Sequence, residues 1–417
     1  MIALATASLS SAALTALTVA FVAMGCIAST FGIYLLVLSL GAFFYSVHTV
    51  QGTPRKVLAV LIPAHDESLL IARCIRSLRN QTYPNDLYEI VVVADNCTDD
   101  TASVAAAAGA NRVMTRDAPD ARGKGRALRW AMDRLLSEES APDALVIVDA
   151  DSIAAPGFLT ALVQPFAAGA PAVQGEYLLY GDGTTGAELR VSAFLLINRV
   201  RLAGRAAFGL SAHLVGNGML LSRDLLLAHP WTAFTSAEDL EYTLELRLSG
   251  VDVAFAGNAA LRAPTAPNSA AAAEQQLRWE GGKAYLARKR IPGLIGTGFR
   301  ERRPALLGIA FELAVPPLGL LAAIVVSGLL VGVCLTATGT VATWVLGPWL
   351  VAAVSIPLFV LIGLRAGRAH RAGYLALIRA PLFIAAKPLR IYRVLSFRAD
   401  TWVRTERAPD SDVRTDV

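Results

Sequence analysis

Ala144-Leu145-Val146-Ile147-Val148-Asp149-Ala150-Asp151 decides the fold class of this chain. Five apolar residues run without polar alternation into two acids spaced by one residue. An unbroken apolar run of this length suits a strand covered on both faces, as in a parallel sheet. Working upstream, residues 57–62 and 89–94 repeat the β-branched pattern. Between and after these runs lie helix-like stretches at 68–79, 99–108 and 125–136. Strands alternating with helices predict an α/β domain with a mostly parallel sheet, over residues 55–290. Ligands of such sheets bind outside the carboxyl ends of the strands, so the residues placed there carry the functional argument.

The flanks read differently. Of 417 residues, 54% are hydrophobic and 17% charged, against about 25% charged in an average soluble protein. A wholly soluble, disordered or fibrous chain is excluded on this balance. Residues 1–54 contain no Asp, Glu, Lys or Arg. The apolar stretch at 9–47 is long enough for one spanning helix or a tight hairpin of two. It lacks the positive start and short apolar core of a cleaved signal peptide, so it is expected to remain as an anchor. Residues 305–364 carry one charge, Glu312, and split near 336–340 into two apolar runs that predict a second hairpin. Arg302 and Arg303 before it and Arg365, Arg368 and Arg371 after it place both of its ends in the cytoplasm, together with the α/β domain. The expected domains are therefore 1–54, 55–290, 291–364 (an interfacial segment plus a transmembrane hairpin) and 365–417, in a multi-pass protein of the cell membrane.

The net charge of +5 is uneven. Residues 365–407 hold ten Arg/Lys and two acids, so the rest of the chain is slightly acidic. A basic stripe directly after an apolar segment reads as a membrane-surface anchor, with 372–398 lying along the interface, and nucleic acid is not an expected partner. The four cysteines, Cys26, Cys74, Cys97 and Cys334, have no CxxC spacing and support neither a disulfide framework nor a zinc site.

Acids collect at the strand ends: Asp66 and Glu67 after the first, Asp95, Asp99 and Asp100 after the second, Asp149 and Asp151 after the third. Single acids there are ordinary helix caps, the expected role of Asp99. Several on one edge repel one another and call for a shared cation or donor set. Asp149-x-Asp151 at the mouth of a buried strand suits a divalent ion that also takes phosphate oxygens. Gly123-Lys124-Gly125 opens a helix, where an ammonium and backbone amides can meet a diphosphate, or where a flexible turn can leave the Lys solvated. Glu238-Asp239 starts an amphipathic helix with Ser236 as its expected cap, which leaves a carboxylate to act as a base. Gln275, Arg278 and Trp279 fall on nearly one helical face, fit to hold a diphosphate and a sugar ring or, more simply, to anchor a core Trp.

Taken in order, Pro63-Ala64-His65-Asp66-Glu67, Asp95-Asn96-Cys97-Thr98-Asp99-Asp100, Gly123-Lys124-Gly125, Asp149-Ala150-Asp151, Glu238-Asp239 and QxxRW at 275–279 resemble the motif series of family 2 glycosyltransferases with the GT-A fold. They resemble most the membrane-embedded branch that holds cellulose, chitin, hyaluronan and poly-N-acetylglucosamine synthases. The resemblance implies that Asp95 meets the nucleotide base, with Asp66 or Glu67 lining the same pocket. It implies further that Lys124 meets the nucleotide or its diphosphate, that Asp149 supports the nucleotide-sugar and that Asp151, with Asp149, ligates Mg2+ or Mn2+. By the same resemblance Asp239 is the general base, and Glu238, Gln275, Arg278 and Trp279 serve the acceptor and the diphosphate. Gly216-Asn217-Gly218-Met219 matches the acceptor-side loop loosely, and Ala237 stands where a Thr is common.

The chemistry agrees, since breaking a bond to a diphosphate needs cations at the leaving group and a base at the acceptor hydroxyl. One base and no candidate carboxylate for a covalent intermediate predict inversion. The expected reaction is metal-dependent transfer from a nucleotide-sugar, a UDP-sugar by resemblance, to a growing polysaccharide, with export proteins as possible partners. Its alternatives are single transfer to a lipid-linked acceptor and a non-catalytic sugar-nucleotide-binding protein. Glu312 faces the acceptor path or reaches the interface, and the segment 402–407 docks beside the membrane.

Overall fold

Leu58–Ala64 (β1) forms the centre of the sheet because both of its faces find apolar cover. Leu58, Val60 and Ile62 pack with Ile71, Cys74, Ile75 and Leu78 of Ile71–Arg79 (α2). Ala59 and Leu61 pack on the other face with Ala127, Leu128, Ala131 and Leu135 of Lys124–Leu136 (α4). Each fully buried aliphatic side chain contributes roughly 1.5–3 kcal/mol, which is why the sequence shows no polar alternation here. The computed structural model describes residues 11–47, 49–50, 52, 54–385, 393–394 and 396–397.

In chain order the elements are α1 (Ser11–Gly41), β1, α2, β2 (Tyr88–Asp95), α3 (Thr101–Ala107), β3 (Arg112–Arg116), α4, β4 (Ala144–Ile147), β5 (Ile153–Ala154), α5 (Phe158–Ala167), β6 (Ala172–Tyr180) and α6 (Thr185–Leu195). A π turn over Leu196–Val200 carries α6 into α7 (Arg201–Ala207). Then follow β7 (Met219–Ser222), α8 (Arg223–Ala228), α9 (Glu238–Leu248), β8 (Val253–Pro264), α10 (Ser269–Arg300), α11 (Pro304–Ala314), α12 (Leu318–Ala337), α13 (Gly347–Ala366), α14 (Arg371–Ala376) and α15 (Ala380–Ala385).

The eight strands are ordered β3-β2-β1-β4-β7-β6-β8-β5. β1 runs parallel to β2 and β4, and β2 parallel to β3. β7 is antiparallel to both β4 and β6, and β6 is parallel to β8. This is the α/β, mostly parallel GT-A arrangement, with the carboxyl ends of β1, β2 and β4 opening on one edge. β4 leaves the ladder at Ile147, one residue before the apolar run ends. The next turn bonds outside the sheet, the Asp149 amide donating to Asn217 Oδ1 at 3.0 Å.

Among the described residues, three helices are long and apolar enough to cross a membrane: Ser11–Gly41, Leu318–Ala337 and Thr343–Ala366, the last including α13. At the N-terminus the expected choice between one span and two resolves to the single 31-residue helix α1, about 46 Å long at 1.5 Å per residue. Its small residues Gly25, Ala28 and Gly32 lie on one stripe with Leu35. Ala28 and Leu35 share a core with Trp349, Ala352, Ile356 and Phe359 of α13. Small residues let membrane helices approach closely. The apolar region 305–364 contains one element more than two runs, because Pro316-Pro317 separates the short helix α11 from α12; proline lacks the amide that would carry the helix through. The domain boundary expected at 290 falls inside α10, which continues to Arg300 with Pro292 in its interior. All four cysteines are free. The basic stripe beyond residue 385 and the segment 402–407 lie, but for residues 393–394 and 396–397, outside the described residues.

The α/β domain is clamped to the first span at Gly204 of α7. A Cβ added there would sit 2.1 Å from the backbone oxygen of Leu38 in α1. Gly204→Val is therefore expected to destabilise the full-length protein by about 1–3 kcal/mol, the usual cost of overpacking. Thermal unfolding in detergent measures this, and an unchanged Tm would contradict the close contact.

Candidate active site

Lys124 is the first residue of α4 and reaches across the sheet edge. Its Nζ lies 2.5 Å from Asp149 Oδ1, 2.5 Å from the Gly216 carbonyl oxygen and 3.9 Å from Glu238 Oε1. The flanking glycines have separate physical reasons. Gly123 adopts φ 116, a conformation that L side chains avoid. Gly125 lies so close to the 229–237 segment that a Cβ would fall 2.3 Å from the Ala233 oxygen. Gly123-Lys124-Gly125 is thus a tightly packed corner, with its ammonium held by acids rather than solvated. Burial alone would lower the Lys124 pKa, but Asp149, Glu238 and Asp239 outweigh it and raise the ammonium above its ordinary value.

Asp239, in the first turn of α9, is pushed the other way. Burial and the adjacent Glu238 carboxylate raise it to about 7, although the Leu240 amide donates to Oδ1 at 2.7 Å and Lys124 opposes the rise. A carboxyl poised there is suited to taking a proton near neutral pH. Between it and Lys124 runs the loop Gly216-Asn217-Gly218. A Cβ on Gly216 would lie 3.2 Å from Asp239 Oδ2 and 3.6 Å from Lys124 Nζ. Asn217 fixes this loop, its side chain accepting from Asp149 N and donating to Ser152 Oγ at 2.8 Å. Gln174 Nε2 holds the Asn217 carbonyl at 2.7 Å.

Asp151 is buried at 7% exposure, with Ser152 Oγ donating to its Oδ1 at 3.3 Å. Asp149 and Asp151 both line the cavity and offer hard oxygen donors. That set fits Mg2+ or Mn2+, which take one or two carboxylates plus phosphate oxygens. A second acidic group, Asp66, Cys97 and Asp99, has ligand atoms within 4.8 Å of one another. Its carboxylates already serve backbone amides: Asp66 Oδ1 accepts from Thr98 N at 2.6 Å and Asp99 Oδ1 from Thr101 N at 3.0 Å. Those bonds hold Asp66 at φ 52 and tie the β1 and β2 loops together. Burial would raise the Asp66 carboxyl, yet the Thr98 bonds and His65 hold it below the usual range.

Asp95 ends β2. Arg116 of β3 and Asn96 both bond its Oδ1, the first by an ion pair and the second at 2.9 Å. On α10, Trp279 stacks near Phe194 at 5.6 Å between centroids, and Phe194 near Tyr177 at 5.0 Å.

These groups open on one cavity of about 1410 Å3. Glu67, Asp95, Lys124, Asp149, Asp151, Glu238, Asp239, Gln275, Arg278 and Trp279 all line it, whereas Asp66 does not. Asp66 is instead turned to the β2 loop by its amide bonds. Ser236 does not cap α9, whose N-cap is Ala237 with no side-chain bond. Ser236 and Thr235 line the cavity, and their hydroxyls are buried without a hydrogen-bond partner. Sequence reading missed Arg116, Arg201 and Lys283, and marked Asn217 only as part of a loosely matching loop. The end of a strand is a weak signal for Arg116, and the other two gain meaning only from distant partners. Glu312 lines the same cavity and is ion-paired with Arg201 and Arg205, so its place is inside the protein, at the cavity wall.

Residues 54–282 match the family described as "Glycosyltransferase like family 2". Among curated relatives, the β-monoglucosyldiacylglycerol synthase of Synechocystis sp. is 26% identical over 247 residues, 56% of this chain and 49% of that protein. Its counterpart from Nostoc sp. is 27% identical over 241 residues, 55% of this chain and 50% of that protein. The chain spans about half the length of these curated relatives. Among solved structures, the mannosyltransferase PcManGT from Pyrobaculum calidifontis in complex with GDP-Man and Mn2+ is 16% identical with a TM-score of 0.48, covering 88% of this chain and 95% of that one. The glucosyl-3-phosphoglycerate synthase from Mycobacterium tuberculosis, in complex with Mn2+, UDP-Glc and phosphoglyceric acid, is 26% identical with a TM-score of 0.40, covering 56% and 79%.

The raised Asp239 pKa has a stability consequence. The folded chain keeps this proton up to about pH 7 while the unfolded chain loses it near 4, so this group's stabilising contribution falls as pH rises across that window. Asp239→Asn is expected to raise Tm relative to the native protein more at pH 8 than at pH 5. A Tm difference independent of pH would contradict the assigned environment.

Proposed function

We propose that this chain, which belongs to the glycosyltransferase-like family 2, transfers a single sugar from a nucleotide-sugar to a hydroxyl group of a membrane lipid. The carrying observation is the continuity of the cavity. It extends from Asp239 and Lys124 to Val325 and Leu329 of α12 and to Ile356 and Val360 of α13, both helices long and apolar enough to span a bilayer. An acceptor with its chains among α12 and α13 can present a hydroxyl to Asp239 without leaving the lipid. The names of the two cyanobacterial relatives, both glycolipid synthases, support the same acceptor class.

In this reading Asp95 Oδ2 accepts from the base of a UDP-sugar, as the family resemblance implies, and Lys124 and Arg278 offset the diphosphate charge. Asp149 and Asp151 would hold Mg2+ or Mn2+, which when bound neutralises charge building on the leaving diphosphate. Asp239 takes the proton of the acceptor hydroxyl as its oxygen bonds the anomeric carbon and the diphosphate departs. Direct displacement by one base inverts that carbon. The positive flanks Arg302, Arg303, Arg365 and Arg368 support a cytoplasmic position for the domain.

A second reading, repeated addition to a polysaccharide, draws on the Trp279, Phe194 and Tyr177 rings, which line the cavity where a growing chain could stack. Membranes containing the protein, supplied with labelled UDP-sugars and Mg2+ or Mn2+, separate the two. One extracted glycolipid supports lipid transfer, and a ladder of polymer overturns it in favour of the second reading. Asp239→Asn should lower turnover by about 10²–10⁴-fold, the usual span for a general base. For the native protein kcat/KM should rise about tenfold per pH unit below about 7 and level off above it. Native turnover by Asp239→Asn would remove Asp239 from the mechanism.

A further inference from the structure

Where the cavity reaches the long apolar helices, charged side chains gather at its wall, with Arg205 joined to them through Glu312. Arg201 at the end of the π turn, Lys283 of α10, His213 and Glu312 of α11 all line it. Glu312 accepts from Arg201, from Arg205 at 3.3 Å and from the Tyr34 hydroxyl. Arg205 is otherwise satisfied, its Nε donating to Ser211 O at 2.9 Å and Nη1 to Tyr34 at 2.8 Å. Arg201 is not: at 8% exposure its Nε is buried without a hydrogen-bond partner. Lys283 donates to the Val315 carbonyl at 2.8 Å, at the end of α11. That single bond explains its position but leaves two of three ammonium N–H groups for the cavity.

The nearby acids do not balance these cations. Glu312 is shared by two guanidinium groups, and Glu280, one turn before Lys283, accepts from Gln276 at 2.8 Å. Counting both acids, and counting Arg205, which pairs with Glu312 but does not line the cavity, the cluster holds three cations and two anions where unpaired charge is costly. His213 adds no positive charge, because burial pushes its pKa down to about 3. Burial, and after it the Arg201 charge, bring the Lys283 ammonium down to about 8, against the opposing pull of Glu312 and Glu280. Lys283 also stands four residues after Trp279, one helical turn along the same face of α10.

We propose that Arg201 and Lys283 form an anion site for the phosphate of a membrane lipid headgroup, so that the acceptor is a phosphate-bearing lipid whose hydroxyl lies about one helical turn away, toward Asp239. This rests on the lipid-acceptor reading above. It differs from a neutral diacylglycerol acceptor in requiring a charge that the protein compensates. The headgroup phosphate takes the Lys283 ammonium donors beside the Arg201 guanidinium, and the acyl chains lie along α12 and α13.

The test uses full-length protein in detergent, with phosphatidylglycerol, diacylglycerol and inorganic phosphate as probes and binding read by native mass spectrometry and Tm. Phosphatidylglycerol is expected to bind at least tenfold tighter than diacylglycerol and to raise Tm. Lys283→Gln should remove that preference and Lys283→Arg restore most of it. Since Lys283 is a partly uncompensated buried cation, Lys283→Gln without lipid should keep or raise the native Tm, which separates loss of the site from misfolding. Equal binding of the two lipids, or a preference that Lys283→Gln leaves intact, overturns the proposal. So does stabilisation by inorganic phosphate with none by phosphatidylglycerol, since the anion would then be a free ion. Lys283-dependent binding in a protein that glycosylates no lipid keeps the anion site and rejects the lipid-acceptor reading. Glycosylation of diacylglycerol, unaffected by Lys283→Gln, does the reverse.

Discussion

One ammonium holds the catalytic half of this protein together. Asp149 comes from the end of a central strand, Glu238 and Asp239 from a helix that starts nearly ninety residues later, and the Gly216 carbonyl from the loop between them. Without a positive charge at their meeting point these carboxylates would repel by several kcal/mol in a partly dry site. Lys124 provides it, at 2.5 Å from Asp149 and 3.9 Å from Glu238. Its reach is fixed by two glycines, one turning the chain and the other letting α4 lie against the backbone of Ala233. The same cation leaves Asp239 near neutral pKa instead of higher, because it offsets part of what burial and Glu238 impose.

The long apolar helices take part in the site. α1 packs along α13, and α7 meets α1 backbone to backbone at Gly204, so the α/β domain and the first span form a single packed unit. Glu312 joins the same junction by pairing with residues of α7 and with Tyr34 of α1. The cavity wall between Asp239 and the lipid-facing side chains is therefore made of elements that are fixed relative to one another.

Much of this was legible in the chain itself. The apolar run at 144–148 predicts a doubly covered strand because both faces of β4 lie under helices, and the acids after it fall where a parallel sheet presents ligands. The motif order placed ten of eleven expected site residues on one cavity. Asp66 was the exception: a carboxylate beside a strand end looks the same in sequence whether it faces a ligand or the Thr98 amide. Ser236 next to an acidic first helical turn reads as a cap, yet the N-cap is Ala237 and the Ser236 hydroxyl lies buried against Gly282 of α10. Arg201 and Lys283 were unreadable, since their meaning lies in Glu312, more than a hundred residues from the first and on another helix from the second. The single N-terminal span was undecidable from length, because thirty apolar residues suit a long helix or a short hairpin equally well, and only the packing of its small-residue stripe against α13 selects the helix.

The central claim is that the acceptor reaches Asp239 through the space between the membrane helices. Ala322 of α12 lines that passage, away from the nucleotide end. Comparing lipid glycosylation and nucleotide-sugar binding by Ala322→Trp with the native protein is the most direct measurement. Glycosylation should be lost while the Kd for the nucleotide-sugar is unchanged; glycosylation at the native rate by the blocked protein would contradict the account.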